Sequence, residues 1–237
     1  MGKLIWWMRE LLFPRRCPVC DKPVKPAGKL ICGGCREKLV QVREAGCMKC
    51  GKPLTEEYEE YCSDCRKKRH VYTQGKSLYE YHSAAKAIYR FKYGNRREYA
   101  VFFGKEMTER FGKLMDFWQA EALVPVPVHK ARRRKRGYNQ AELLAEEIGK
   151  RTGIPVIRDL VVRHKNTRPQ KELKGAEREN NLKRAFKIGR NDVKLSTIII
   201  IDDIYTTGST VDEMAQVLKE IGIEKVYVLT LAIGKGI

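Results

Sequence analysis

Residues Ile198 to Thr210 read I-I-I-I-D-D-I-Y-T-T-G-S-T, and this stretch decides the fold of the region around it. Four consecutive β-branched residues predict a strand buried on both faces, which is typical of a parallel sheet covered by helices. Two carboxylates, Asp202 and Asp203, follow where this strand is predicted to end. An amphipathic helix comes next, because apolar residues recur at helical spacing from Val211 to Ile221.

The turn between this strand and this helix predicts a phosphate site. Small and hydroxyl residues leave backbone N–H groups available to an anion, and the helix N-terminus adds the positive end of its dipole. The predicted phosphate-binding residues are Thr206, Thr207, Gly208, Ser209 and Thr210.

Two carboxylates beside a phosphate site would repel the phosphate. Their presence is therefore explained only if the ligand also carries hydroxyl groups that the carboxylates can bind. Each carboxylate can accept a hydrogen bond from one of two vicinal hydroxyls, and Mg²⁺ can bridge the remaining oxygens. These requirements together describe a ribose 5-phosphate. The alternative, in which the acids only cap the helix, needs one acid near the N-cap rather than two placed several residues earlier.

The same stretch resembles the phosphoribosyl pyrophosphate (PRPP) signature of the type I phosphoribosyltransferases, which has four apolar residues, two acids, two variable residues and T-T-G-x-T. The resemblance implies that Asp202 and Asp203 are the acids of a catalytic site and hold the ribose 2′- and 3′-hydroxyls. It also implies that Thr206 to Thr210 hold the 5′-phosphate and that Mg²⁺ binds together with PRPP.

All eight cysteines lie in the first 65 residues, in the pattern C-x₂-C-x₁₁-C-x₂-C, which occurs twice with an offset of 30 residues. The repeated spacing indicates an internal duplication. Two C-x₂-C knuckles supply four thiolates to one tetrahedral Zn²⁺, so we expect two structural zinc ions. The predicted ligands are Cys17, Cys20, Cys32, Cys35, Cys47, Cys50, Cys62 and Cys65. Pairing within each repeat is the simplest arrangement, and the spacing also allows pairing between repeats.

The chain has 237 residues and a formal net charge of +19. The excess is local, since residues 185–237 hold six basic and seven acidic residues. A basic field of this kind favours polyanions, which are nucleic acid or phosphorylated metabolites. A solvated lysine-rich surface is the alternative.

No stretch of the sequence is long and apolar enough to predict a transmembrane segment. Residues 1–13 are mostly apolar, but Arg9 and Glu10 interrupt them and no small-residue cleavage site follows, so a short amphipathic helix is predicted rather than a signal peptide. This helix packs on the protein or docks on a membrane or a partner. Because no secretion signal is found and the cysteines suit zinc better than disulfides, we expect a cytoplasmic protein.

A second anion site is predicted after the strand Ala122–Val128, where a basic loop precedes a helix. The segments V-P-V-P-x-H and R-G-Y-N-Q-A-E-L-L-A resemble the corresponding part of the ComF family, which are competence-associated, phosphoribosyltransferase-like proteins. The resemblance implies that pyrophosphate binds here, and the candidate residues are His129, Lys130, Arg136, Asn139 and Gln140. The six lysines and arginines of this loop exceed what one pyrophosphate requires, so some are expected to face another polyanion.

A mobile loop that closes over the substrate is predicted for residues 163–184, because this segment is polar and charged and has no regular hydrophobic pattern. This segment also resembles the flexible loop of the ComF family, which implies ligand-binding roles for Arg163 and Gln170. A plain connecting segment is the alternative.

Together these motifs predict an α/β fold with a type I phosphoribosyltransferase-like, mainly parallel sheet and an N-terminal double zinc ribbon. The predicted domains are residues 1–70, the double zinc ribbon with its short N-terminal helix, and residues 71–237, the phosphoribosyltransferase-like domain.

The implied function is PRPP binding, with phosphoribosyl transfer to an unidentified acceptor, in DNA uptake during natural transformation. A non-catalytic, PRPP-responsive protein that binds single-stranded DNA is the alternative, and a function carried by the zinc ribbon alone is a third. The family's link to transforming DNA implies a DNA-translocating helicase as a partner.

Overall fold

The computed structural model describes residues 14–56, 58–165, 185–189 and 194–234. The strands in these ranges are β1 (Gln74–Glu80), β2 (Ala122–Pro125), β3 (Val161–Arg163), β4 (Phe186–Ile188), β5 (Thr197–Tyr205) and β6 (Lys225–Ile233). The helices are α1 (Gly33–Arg36), α2 (Ser63–Lys67), α3 (Tyr81–Tyr93), α4 (Tyr99–Phe117), α5 (Lys130–Arg136), α6 (Gln140–Thr152) and α7 (Ser209–Glu220). None of the helices in the described ranges has the length and hydropathy needed to cross a membrane. The predicted N-terminal helix and Gln170 lie outside the described residues.

Four parallel strands form the main sheet, in the order β1-β6-β5-β2. Parallel neighbours need crossover connections, and helices supply them, as α7 does between β5 and β6. A single parallel bridge from Leu123 to Val156 continues the sheet beyond β2, and β3 and β4 form a separate antiparallel pair. The mainly parallel α/β fold predicted from the sequence is therefore confirmed.

The central strand β5 is buried on both faces, as its sequence predicts. Ile198 to Ile201 have no exposed surface, and their side chains alternate between two hydrophobic clusters. Ile199 and Ile201 pack with residues of α3, α4 and α6, whereas Ile198 and Ile200 pack with α7 and the β3–β4 pair. The strand continues to Tyr205, so the two acids lie within it rather than beyond its end.

One segment differs from the sequence-based expectation. The basic segment after β2 is the helix α5 rather than a loop, because arginine and lysine are good helix formers and both ends of the segment are capped. His129 caps the start through its side chain, and Gly137 ends the helix with a φ of 78°.

The cysteine-containing region pairs with the edge of the main sheet. Gln41 forms an antiparallel bridge with Tyr79, and the Val42 amide donates to the Leu78 carbonyl at 2.9 Å. These bonds cover the backbone groups that β1 exposes as an edge strand. The predicted boundary near residue 70 thus separates two regions that share backbone pairing, and the division into two domains stays a prediction.

Candidate functional site

A pocket opens where β5 ends and α7 begins. Its lining consists of Asp202, Ile204, Tyr205, Thr206, Thr207, Gly208, Ser209, Thr210 and Val211. Ligands of parallel α/β sheets bind outside the carboxyl ends of the strands, and this pocket has that position. The structure therefore brings Asp202 together with all the predicted phosphate-binding residues, Thr206 to Thr210, which form the phosphate turn.

The turn has the geometry of an anion site. Gly208 precedes the first residue of α7 and has a φ of 76°, which favours glycine. The hydroxyls of Thr207 and Ser209 lie 2.9 Å apart. The first amides of α7 have no acceptor within the helix, and the helix dipole is positive there. A phosphate group in this turn would meet N–H donors, hydroxyls and a favourable field.

The two adjacent acids leave β5 on opposite faces, because successive side chains of a strand alternate. Asp203 turns towards α3, where the Lys92 Nζ lies 2.8 Å from its Oδ2. Asp202 lines the pocket, and its Oδ1 accepts from the Asp203 amide at 2.8 Å. In this structure Asp202 faces the phosphate turn and Asp203 is held in an ion pair.

The environment of Asp202 disfavours its charge. Burial, and then repulsion from Asp203, raise the pKa of the Asp202 carboxyl to about 7, although Lys92 and Arg163 act in the opposite direction. Burial and the neighbouring Arg132 lower the pKa of Arg163 to about 10. Two carboxylates and at least three cations are therefore close enough to influence one another at this end of the sheet.

The candidate pyrophosphate residues take mixed positions. The side chain of Asn139 caps α6 by accepting from the Ala141 amide at 3.1 Å, and its Nδ2 donates to the Val126 carbonyl at 3.0 Å. Gln140 is buried, and its Oε1 accepts from Arg136 at 3.1 Å. Lys130 is exposed on α5. Asn139 and Gln140 thus hold α5 and α6 in place, while Lys130 points to solvent.

The sequence does not single out Lys92, because a lysine near the end of a helix is usually solvated. The ion pair with Asp203 depends on how α3 packs across the sheet, and the sequence around Lys92 carries no signal for it.

Sequence reasoning also missed a buried network beneath the phosphate turn. The His70 Nδ1 lies 2.7 Å from the Asp212 Oδ2, and the hydroxyls of Tyr72 and Tyr205 lie 2.7 Å apart. Asp212 also accepts from the Val71 amide at 3.0 Å. The segment that follows the second cysteine repeat is thereby bonded to the first turns of α7 and to the end of β5.

The eight cysteines form two groups of four, and each group belongs to one repeat. One comprises Cys17, Cys20, Cys32 and Cys35, and the other comprises Cys47, Cys50, Cys62 and Cys65, with all sulfur atoms of a group within 4.8 Å of one another. All eight are free thiols. Pairing within repeats is therefore the arrangement observed.

The sulfur geometry fits zinc. A tetrahedral Zn²⁺ with Zn–S bonds of about 2.3 Å requires sulfur atoms about 3.8 Å apart. The Cys50 and Cys62 sulfurs lie 3.7 Å apart. Both groups are thus suited to one structural zinc ion each.

Comparison with protein families supports both halves of this description. The family model for the double zinc ribbon domain matches residues 8–66. The family model for the phosphoribosyl transferase domain matches residues 134–236, which include α6, β5, the phosphate turn and α7.

Named relatives match nearly the whole chain. Competence protein F of Haemophilus influenzae is 30% identical over 229 residues, which are 93% of this chain and 97% of that protein. Competence protein ComFC of Bacillus subtilis is 32% identical over 206 residues, 84% of this chain and 81% of that protein. DNA utilization protein YhgH of Salmonella typhimurium is 28% identical over 225 residues, 93% of this chain and 98% of that protein.

Replacement of Gly208 tests whether the phosphate turn tolerates a side chain. A Cβ at this position would lie 2.6 Å from the Tyr205 hydroxyl and 2.8 Å from the His70 ring. We expect Gly208→Ala to destabilise the protein by about 2 kcal/mol or more, from a strained positive φ and overpacking. Urea unfolding measures this loss. Gly153→Ala is the matched control, since Gly153 has a φ of 79° and no atom within 4 Å of its added Cβ. Equal losses in the two variants would show that the contacts with Tyr205 and His70 are unimportant.

The raised pKa of Asp202 predicts a dependence of stability on pH. The unfolded carboxyl titrates near its usual value of 3.8, whereas the folded one titrates near 7. Between these values the folded state binds the extra proton, so rising pH removes stability by up to about 1.4 kcal/mol per pH unit, and the loss levels off above pH 7. Asp202→Asn removes this contribution. The stability of the variant relative to the wild type should therefore rise from pH 5.5 to about pH 7 and then stay constant, as measured by urea unfolding. A difference independent of pH would contradict the raised pKa.

Proposed function

Because the chain belongs to the ComF family of competence proteins, we propose that it binds PRPP with Mg²⁺ at the carboxyl end of β5 and acts in DNA uptake. The observation that carries this proposal is the pocket in which Asp202 and the turn Thr206 to Thr210 line a single cavity. The names of the relatives, two competence proteins and a DNA utilization protein, support the role in DNA uptake.

The pocket suggests how the ligand lies. The 5′-phosphate occupies the turn before α7, where helix amides and hydroxyls converge. Asp202 accepts a hydrogen bond from a ribose hydroxyl, in line with its place in the lining. Asp203 contacts the ribose only after its ion pair with Lys92 breaks. Binding therefore replaces the Lys92–Asp203 ion pair by contacts with the ligand. Lys92 is then free to face the pyrophosphate.

The cations around the pocket suit a leaving pyrophosphate. Phosphoribosyl transfer breaks the bond between C1′ and the pyrophosphate oxygen, and a nucleophile of the acceptor attacks C1′ from the opposite face. Mg²⁺ bound with PRPP neutralises charge on the pyrophosphate. Lys92, Arg163 and the candidate residues Lys130 and Arg136 add positive charge from the protein. The contribution of the protein is then positional and electrostatic, without a covalent intermediate.

A second candidate function is a non-catalytic protein that binds PRPP as a signal and single-stranded DNA as its working ligand. The observation that favours it is α5, which carries six lysines and arginines and no acid over seven residues. One pyrophosphate needs fewer cations. Within this candidate, a DNA-translocating helicase is the kind of partner expected. None of the eight cysteines forms a disulfide, which suits a reducing compartment, so we place the protein in the cytoplasm. In this proposal each cysteine group holds one structural zinc ion.

Calorimetric titration with PRPP in the presence of Mg²⁺ tests the proposal. We expect the wild type to bind, and Asp202→Asn to weaken binding by roughly 10-fold or more, because a hydrogen bond to a charged group contributes about 1.5–3 kcal/mol. Asp203→Asn should weaken binding less, since Asp203 begins in an ion pair. The double variant should bind least. Absence of PRPP binding by the folded, zinc-loaded wild type would overturn the proposal.

Release of pyrophosphate separates the two candidates. An enzyme that is supplied with its acceptor releases pyrophosphate continuously, whereas a sensor holds PRPP intact. Nucleobases and single-stranded DNA are the acceptors to try first.

A further inference from the structure

We propose that exposed tyrosines of α3, together with the basic helix α5, form a binding face for single-stranded DNA. The inference rests on the proposed role in DNA uptake and names the surface that serves it. The face, called the tyrosine face below, consists of Tyr81, Tyr89, Tyr93, Arg97 and Arg136.

The rings of this face are exposed and lie along one helix. Tyr81, Tyr89 and Tyr93 are 41%, 61% and 47% exposed. Tyr89 and Tyr93 are four residues apart, and their ring centroids lie 5.1 Å from each other. From Tyr81 to Tyr93 the helix rises by about 18 Å. Large exposed aromatic groups are costly to keep in water, and a row of them indicates a binding surface.

Arginines join the rings to the basic helix. The Arg136 guanidinium lies 4.8 Å from the centroid of the Tyr93 ring, and its Nη2 donates to the Tyr93 hydroxyl at 3.0 Å. The Arg97 Nη2 donates to the Gly137 carbonyl at 3.1 Å, which brings a further cation to the end of α5. These contacts join the pair Tyr89 and Tyr93 to α5.

Much of the charge on α5 is available to a ligand. Arg133 is paired with Glu142 at 3.2 Å. Lys130, Arg134 and Lys135 are exposed, and within the described part of the chain they make no ion pair. The surface thus offers cations for phosphates beside π-faces for bases, which is the combination that single-stranded nucleic acid requires. A duplex hides its bases from such rings.

The tyrosine face borders the candidate PRPP pocket. Tyr93 directly follows Lys92, which forms the ion pair with Asp203. The tyrosine face therefore ends beside the ion pair that the proposed binding of PRPP would open, which makes the two ligands neighbours in this proposal.

Fluorescence anisotropy with a short labelled oligothymidylate tests the face. We expect Tyr89→Ala with Tyr93→Ala to weaken binding by roughly 30-fold or more, since each stacked base contributes about 1–3 kcal/mol. Tyr89→Phe with Tyr93→Phe should keep most of the affinity, because the rings remain. The matched control is Tyr58→Ala with Phe117→Ala, which removes two rings that are 84% and 81% exposed elsewhere on the protein, and it should bind as the wild type does.

Salt dependence separates stacking from charge. Arg134→Gln with Lys135→Gln should reduce the slope of log affinity against log salt by about 1.4, whereas the tyrosine variants should leave it unchanged. Equal affinity for a DNA duplex would overturn the proposal. An unchanged affinity of the Tyr89→Ala, Tyr93→Ala variant would also overturn it, and would indicate that the exposed rings bind a protein partner instead. If the wild type binds PRPP but no oligothymidylate, the proposal of a DNA-binding tyrosine face is rejected and the proposed PRPP site is kept. If it binds oligothymidylate but no PRPP, the tyrosine face is kept and the PRPP site is rejected.

A different observation carries a second inference. We infer that the second cysteine group supports the phosphate turn, with Tyr72 and His70 as positioning residues, and that the first group does not. Lys49 lies between Cys47 and Cys50 in the sequence, and its Nζ donates to the carbonyls of Tyr72 and Thr73. The Gly75 amide donates back to the Lys49 carbonyl at 2.7 Å.

From this segment the contacts continue to the pocket. Tyr72 is fully buried and packs in one cluster with Cys47, Cys50 and Cys62. Its hydroxyl contacts that of Tyr205, which lines the pocket. The contact between Tyr72 and Tyr205 is buried, and it links the second cysteine group to the end of β5 beside the phosphate turn.

The first cysteine group has different neighbours. The Tyr99 hydroxyl donates to the Asp21 carboxylate at 2.6 Å and lies 3.1 Å from the Cys17 carbonyl oxygen, and Arg96 pairs with Asp21 at 2.8 Å. Tyr99 begins α4, on the side of the sheet opposite α7. The duplicated sequence therefore supports two different parts of the domain.

Two buried tyrosines make a matched pair for the test. Tyr72→Phe and Tyr99→Phe each remove one buried hydroxyl that is bonded near a cysteine group. In hydrogen exchange, Tyr72→Phe should speed exchange of the amides of residues 206–211 about tenfold, while Tyr99→Phe leaves them unchanged. Calorimetry should show a matching loss of PRPP affinity for Tyr72→Phe alone, with two zinc ions retained in both variants. Equal exchange in both variants would overturn the inference, and this readout does not depend on PRPP binding.

Discussion

The parallel pairing of β5 between β6 and β2 is the constraint on which the rest of the structure depends. The side chains of Ile198 to Ile201 pack alternately on the two faces of the sheet. A shift of the β5 register by one residue would move each of these side chains to the opposite cluster. The register of the core therefore fixes where Asp202 and the following turn emerge. The same pairing brings the carboxyl ends of the parallel strands to one edge, where the pocket lies.

Charge at this edge is balanced locally in the absence of a ligand. Alternation along the strand sends Asp203 to Lys92 and leaves Asp202 in the pocket, where burial opposes its ionisation. Under the proposed function, a ligand that brings hydroxyl donors and a divalent cation would relieve both conditions. A bare anion would instead meet a carboxylate.

The cysteine repeats show how duplicated sequence acquires different roles. Each repeat forms one four-sulfur group with the same local geometry. The first packs against α4 through Asp21 and Tyr99, and the second packs against the start of β1 and the segment before it. The region also covers the edge of the sheet through residues 40–42. A cysteine-rich module thereby becomes part of the support for the α/β sheet.

Much of the architecture follows from local sequence. The run Ile198–Ile201 determined a doubly buried strand, the glycine and hydroxyls after it determined the turn before α7, and the cysteine spacing determined two groups of four cysteines. These features depend on neighbouring residues, so the sequence alone specifies them. The conformation of α5 was missed, because its charge suggested a loop while its helix propensity and caps decided otherwise.

Tertiary structure decided the contacts between segments distant in sequence. Lys92 meets Asp203 across 111 positions, and Tyr72 meets Tyr205 across 133. It also decided that the cysteines pair within repeats and that tyrosines of α3 lie beside α5. No periodicity or spacing reports such contacts, because they arise only when the helices pack on a completed sheet.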